Sequence, residues 1–140
     1  MKDTVFREAL LKTLASYGSD FKTLAMQFES KSMFDSTFTL LYKLPGAGEA
    51  TVVLTKEAIT LTEYIEMKHY AADLPKLLMK IRYALPGDFV CDEEEDMPTH
   101  IRYYTFYPMP GSVQKHPGFP DKFMIMTDES STQFSIQKYR

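Results

Sequence analysis

Residues 51–67, Thr-Val-Val-Leu-Thr-Lys-Glu-Ala-Ile-Thr-Leu-Thr-Glu-Tyr-Ile-Glu-Met, decide the fold of this chain. β-Branched and aromatic residues dominate both halves of the stretch, and such residues favour a pleated, half-buried surface. The polar pair Lys56-Glu57 separates the two halves in the way that a tight turn does. The stretch therefore predicts a β-hairpin with strands over Thr51–Thr55 and Ile59–Met67.

Strand patterns continue on the N-terminal side of this hairpin. Pro45-Gly46-Ala47-Gly48 is the clearest turn signal in the chain. Before it, apolar residues alternate with polar ones from Phe34 to Leu44 and, in a shorter run, from Leu24 to Phe28. Such alternation is typical of a sheet with one buried and one solvated face. We therefore expect three or four antiparallel strands joined by hairpins.

Two segments have the spacing of amphipathic helices. The first runs from about Asp3 to Tyr17, with Asp3 as a plausible N-cap and Gly18 as a stop signal. The second runs from about Ala71 to Leu85, where leucines recur on one face and Pro86-Gly87 follows.

Most of the rest of the chain is again predicted to form strands. They are predicted over Phe89–Cys91, Ile101–Tyr107, Phe123–Thr127 and Gln133–Tyr139. The element order is then α-β-β-β-β-α-β-β-β-β. Strands in sequential runs with few helices between them indicate the α+β class, with two helices and a mainly antiparallel sheet of about 6–8 strands. We expect a single domain over residues 1–140.

Composition sets bounds on the function. A chain of 140 residues can bury a sizeable core without disulfides or structural metals, and its single cysteine allows no internal disulfide. Charged residues near the N-terminus and the lack of a long apolar segment favour a cytoplasmic protein without a membrane span. A net charge of -3 with no basic cluster makes nucleic-acid binding an unfavoured function. No cofactor motif is present, so no cofactor is expected.

Five consecutive acids, Asp92-Glu93-Glu94-Glu95-Asp96, form the most distinctive local feature, which we call the acidic run. Removing five negative charges from a net charge of -3 leaves +2 for the rest of the chain. The sequence therefore predicts a mildly basic body with one acidic loop. Such a loop could dock a basic partner, bind a metal ion, pair with the chain's own basic residues or simply be solvated.

Two segments beside the acidic run complete the predicted binding site. One is the aromatic strand that follows it, and the other is the loop over residues 108–120, which holds four prolines and which we call the proline loop. Long loops within compact domains are often used for recognition. The predicted partner-binding residues are Asp92, Glu93, Glu94, Glu95, Asp96, Arg102, Tyr104, Phe106, Met109, Lys115, His116 and Phe119.

Two functional hypotheses remain from the sequence. The favoured one is a non-enzymatic interaction or assembly protein, such as an accessory, inhibitor, immunity or chaperone-like domain. It would bind another protein, for which a basic surface is the matching type, and its sheet edges and exposed aromatics also favour self-association into a homo-oligomer. The alternative is a small metal-assisted hydrolase with Asp92, Glu94 and Asp96 as ligands, and His100 or His116 as a ligand or base.

Overall fold

A computed structural model describes residues 3–112 and 116–140 and shows an α+β fold. Its element order confirms the predicted α-β-β-β-β-α-β-β-β-β and adds one short 3-10 helix, Ser16–Ser19, after the first helix. The elements are α1 (Thr4–Ala15), β1 (Met26–Lys31), β2 (Asp35–Leu40), β3 (Ala47–Thr55), β4 (Ala58–Ile65), α2 (Tyr70–Ala84), β5 (Phe89–Asp96), β6 (Ile101–Pro108), β7 (Phe123–Thr127) and β8 (Thr132–Tyr139).

The eight strands form one antiparallel sheet in the order β1-β2-β3-β4-β8-β7-β6-β5. Each half of the chain is thus one helix followed by a four-stranded meander, and the halves join where β4 pairs with β8. Helix α2 carries the chain from β4 in the middle of the sheet to β5 at its far edge. The two free edges are therefore β1 and β5.

Both helices pack on the same face of the sheet. The Asp3 carboxylate accepts a hydrogen bond from the Phe6 N–H at 3.0 Å and so caps the start of α1. Leucines and other apolar residues of both helices meet the strands in one core, whose largest sheet members include Leu61, Phe106 and Phe134. Neither helix is long and apolar enough to cross a membrane, as far as the described residues extend.

The opposite face of the sheet, which we call the open face, has no helix against it. Successive side chains of a strand point to opposite faces of the sheet. The residues that precede and follow each buried residue along a strand therefore lie on the open face. On the inner strands these residues are half-buried or exposed. They are Asp35, Thr37, Thr39, Thr51, Val53, Thr55, Thr60, Thr62, Tyr64, Tyr103, Thr105, Tyr107, Met124, Met126, Gln133, Ser135, Gln137 and Tyr139.

The acidic run differs from its prediction. The expected loop after Cys91 is instead a continuation of β5, which pairs residue for residue with β6 as far as Asp96 opposite Ile101. Consecutive acids are poor strand formers because they resist burial. At a sheet edge this cost is small, since four of the five acidic side chains stay exposed to water.

Candidate functional site

The acidic run forms half of a free sheet edge. Strand alternation points Asp92, Glu94 and Asp96 towards the open face, whereas Glu93 and Glu95 point towards the helices. The run therefore presents negative charge on both faces of β5. A free edge also leaves strand N–H and C=O groups available to another chain.

Few positive groups compensate this charge. Arg102 is the one cation within ion-pair distance of the run among the described residues, with its Nε 3.5 Å from the Glu95 Oε1. Hydroxyls supply further contacts: Tyr104 donates to Glu93 at 3.3 Å, Tyr107 to Asp92 at 2.9 Å and Thr99 to Asp96 at 2.6 Å. The hydrogen bond to the Asp92 carboxylate raises the pKa of Tyr107, because it favours the protonated phenol.

The other basic residues that the structure describes do not pair with the run. Lys138 pairs with Asp20 at 2.8 Å, and Arg140 donates to the Thr55 carbonyl at 2.9 Å. Lys115 lies outside the described residues. Most of the acidic run therefore remains available to a positive group from another molecule.

The structure gives the alternative metal site no ligand set. Within residues 3–112 and 116–140, no group of three or more His, Cys, Asp or Glu side chains is placed to hold a metal ion. Residues two apart on a strand are about 6.6–6.8 Å apart along its axis, so Asp92, Glu94 and Asp96 fan out along β5. His100 is exposed in the β5–β6 turn, with a positive φ of 59°.

The aromatic strand β6 buries two of the side chains that the sequence predicts to bind a partner. Tyr104 and Phe106 are buried in the core beneath the helices, so their rings cannot contact a partner. Arg102 shares their face at its exposed end and pairs with Glu95. Alternation instead places Tyr103 and Tyr107 on the open face, and the prediction omitted both. Aromatic residues on both faces of β6 made the sequence uninformative about which set is buried.

Side-chain contacts hold the proline loop against the start of β5. The Asp88 carboxylate lies 2.9 Å from the His116 Nε2 and accepts a hydrogen bond from the Ser112 hydroxyl at 2.9 Å. Burial alone would raise the pKa of Asp88, but the bonds from His116 and Ser112 outweigh it and lower the pKa. The Phe89 and Phe119 rings flank the imidazole at 5.4 and 5.5 Å between centroids.

The same loop also contacts the end of the first helical segment. The Gly18 N–H donates to the Gly118 carbonyl at 2.9 Å, and a Cβ on Gly118 would lie 3.0 Å from the Ala15 carbonyl oxygen. His116 and Phe119 are consequently partly buried, whereas Met109 is exposed. Of the loop residues predicted to bind a partner, Met109 is the most accessible one that the structure describes.

The open face is a surface that the sequence prediction missed. Only one of its 18 residues named above is charged, Asp35 at the start of β2, although a quarter of the whole chain is charged. It adjoins the acidic run directly, because Tyr103, Thr105 and Tyr107 pair with Glu94, Asp92 and Val90 of β5. The open face is therefore a surface of low charge with an acidic border.

Glu63 is a second feature that the prediction missed. It lies on the helix face of β4 between Leu61 and Ile65 and is fully buried. Its Oε1 accepts a hydrogen bond from the Leu44 N–H at 2.8 Å, while its Oε2 has no partner among the described residues. Burial raises the pKa of Glu63 to about 7. The alternation that identified β4 could have revealed it, since Glu63 occupies an apolar position of that pattern.

Cys91 has the environment of a structural thiol. It is partly buried on β5 and packs against the core. Burial, together with the neighbouring Asp92 and Glu93 charges, raises the pKa of this thiol despite the opposing effect of Arg82. A raised pKa disfavours the reactive thiolate.

Comparison with known proteins gives no relative from which to transfer a function. No family model matches the chain, and no curated protein or solved structure matches it either.

Proposed function

We propose that this chain is a non-enzymatic protein-binding domain that captures a basic segment of another protein along the acidic run. The observation that carries the proposal is the placement of five carboxylates on a free edge strand, where Arg102 is the one cation in ion-pair contact within the described part of the chain. An accessory or assembly role fits such a surface. A cytoplasmic setting belongs to the same proposal, because the single cysteine needs no oxidising compartment.

The proposed mode of binding is strand addition. An extended segment would form main-chain hydrogen bonds with the edge of β5, and its side chains would alternate between the two faces. Lysines or arginines on one face would meet Asp92, Glu94 and Asp96, and those on the other face would meet Glu93. Apolar residues next to the segment would rest on the open face against Tyr103 and Tyr107. Met109 would border the start of β5.

Charge would contribute to selectivity and to the rate of encounter more than to affinity. Exposed ion pairs are each worth about 0.2–1 kcal/mol and are screened by salt. Complementary potentials nonetheless speed association and penalise partners of the wrong sign. Binding should therefore weaken as ionic strength rises, chiefly through a slower association rate.

The test combines a defined probe with capture of the native partner. A synthetic peptide of alternating lysine and valine is titrated against the protein, and a lysate is passed over the immobilised protein. The variant Asp92→Lys, Glu94→Lys, Asp96→Lys should lose both activities and remain folded. The matched control reverses three exposed acids elsewhere, Glu8, Glu57 and Glu129.

The control variant should bind as well as the unmodified chain does. Equal losses in the two variants would show that net charge alone governs binding, and unimpaired binding by the β5 variant would remove the acidic run from the site.

A further inference from the structure

Strand β5 changes character along its length. Its first three residues, Phe89, Val90 and Cys91, are apolar, and the acidic run follows them directly. Both parts lie on the same free edge, because β5 is the last strand of the sheet. A strand added at this edge would therefore contact an apolar part and an acidic part in succession.

The helix that leads into β5 has a groove on its outer surface, which we call the α2 groove. It has a volume of about 410 Å³ and is lined by Pro75, Leu78, Met79, Arg82 and Tyr83. Met79 and Tyr83 are 56% and 62% exposed. Large apolar side chains of a surface helix normally face the core, so an exposed cluster of them marks a contact surface.

The α2 groove lies beside the apolar part of β5. Cys91 points towards the helices, because it pairs with the buried Phe106 and directly opposite residues share a face. The Arg82 side chain, which lines the groove, reaches the Cys91 thiol. The residue of an added strand opposite Cys91 would also point towards the helices, and so towards the α2 groove.

Charge favours different residue types at the two parts of the edge. Beside Cys91, the positive charge of Arg82 disfavours a lysine or an arginine. The apolar side chains of the α2 groove favour an apolar residue there instead. Further along the same face, Glu93 is exposed and has no cation in ion-pair contact within residues 3–112 and 116–140. An apolar residue at one end and basic residues along the rest therefore complement this edge.

We propose that the partner's strand carries one large apolar residue that enters the α2 groove beside Cys91, with lysines or arginines opposite the acidic run. This inference rests on the function proposed above and names the kind of segment that the edge selects. The apolar residue would fix the register. A shift by one residue would turn it to the open face, and a shift by two towards the acidic run would place it against Glu93.

The two kinds of contact would have different roles. Exposed basic residues opposite the acidic run would speed the encounter, and salt would screen them. Burial of the apolar residue in the α2 groove would slow dissociation and would depend little on salt. The edge would therefore reject a uniformly basic segment in favour of one with an apolar end.

The test compares labelled peptides by fluorescence anisotropy. One is Leu-Lys-Thr-Lys-Thr-Lys, and another is its reverse, because strand addition at a free edge can run in either direction. Each has a matched version in which serine replaces leucine. The better leucine peptide should bind at least about tenfold more tightly than its serine version.

Replacing two groove residues separates the α2 groove from the acidic run. The variant Met79→Ser, Tyr83→Ser should remove the tenfold advantage of leucine and leave the affinity for the serine peptide unchanged. Val5→Ser, at an exposed apolar position of α1, is the matched control and should preserve the advantage. Circular dichroism checks that all variants stay folded.

The two proposals fail in different ways. If no lysine peptide binds, or if the lysine reversal of Asp92, Glu94 and Asp96 leaves binding of the serine peptide unimpaired, the function proposed above is wrong and this inference falls with it. If that reversal abolishes binding but leucine and serine peptides bind the unmodified chain equally, only the apolar contact is wrong. An advantage of leucine that survives Met79→Ser, Tyr83→Ser would also overturn the inference, because another surface would then hold the apolar residue.

Discussion

Replacing the buried Glu63 by glutamine should make the stability of this fold nearly independent of pH in the neutral range. Glu63 is enclosed by the core, and burial raises its pKa from 4.5 to about 7. The folded chain therefore holds a proton on this carboxyl in a range where the unfolded chain has released it. Because the folded state binds more protons there, the free energy of unfolding falls as pH rises from 4.5 to about 7.

The size of the effect follows from the two pKa values. Each pKa unit corresponds to about 1.4 kcal/mol, so moving from 4.5 to about 7 corresponds to about 3 kcal/mol. The stabilising contribution is fully present below pH 4.5 and is lost once pH has passed the folded-state value of about 7. Glutamine keeps an oxygen that can accept the Leu44 N–H and removes the charge. At alkaline pH, Glu63→Gln should therefore be more stable than the unmodified chain by about 3 kcal/mol, or roughly 10 °C in Tm.

Urea unfolding followed by far-ultraviolet circular dichroism measures this effect, since the chain has no tryptophan to report by fluorescence. The two curves of unfolding free energy should converge below pH 4.5 and separate steadily up to about pH 7. Glu57→Gln, at an exposed turn, controls for loss of one negative charge and should follow the unmodified chain. A difference between Glu63→Gln and the unmodified chain that stays constant with pH would refute the reasoning.

Three further predictions concern the loops and the acidic run. Gly118→Ala should destabilise the fold by more than Gly46→Ala, about 2–4 against about 1 kcal/mol by urea unfolding; both glycines have positive φ, but only at Gly118 would the new Cβ lie 3.0 Å from a backbone oxygen. Asp88→Asn should speed limited proteolysis within the proline loop at neutral pH, and in the unmodified chain the same loosening should appear as pH falls below 3.8, because the pKa of Asp88 is lowered by His116. Neutralising the three acids of the acidic run that face the open face should leave Tm unchanged or slightly higher, and Mg²⁺ or Ca²⁺ should not raise the Tm of the unmodified chain; a clear rise would restore the metal hypothesis.

Most of the fold could be predicted from local patterns in the sequence. The alternation of residues 51–67 and the turn at Lys56-Glu57 became the β3–β4 hairpin, and the leucine spacing became α2. Both signals depend on near neighbours in the chain. The prediction that the acidic run is a loop was wrong, because the run is a strand that pairs with β6. Acidic residues disfavour strands locally, so the sequence gave no indication of this pairing.

The candidate site was harder to predict because it depends on contacts between distant residues. Which face of β6 is buried is decided by the packing of Phe106 against Phe123, whose ring centroids lie 5.1 Å apart across two strands. His116 and Asp88 are in contact although they are 28 residues apart in the sequence, so no local pattern predicts this contact. Glu63 is the exception, since its place in the apolar alternation of β4 was visible from the sequence.

The two free edges of the sheet differ in charge, and this difference affects solubility. Strand β5 carries five acids, whereas β1 carries one acid and one base. The sheet of the described residues has two free edges, and each is a template on which further copies could pair. If both edges were neutral, molecules could add at either side and grow into a filament. Five acids on β5 oppose the addition of a second β5 at this edge, because like charges would lie opposite each other. The acidic run would thus protect β5 against self-association, and under the function proposed above it would also select a basic partner.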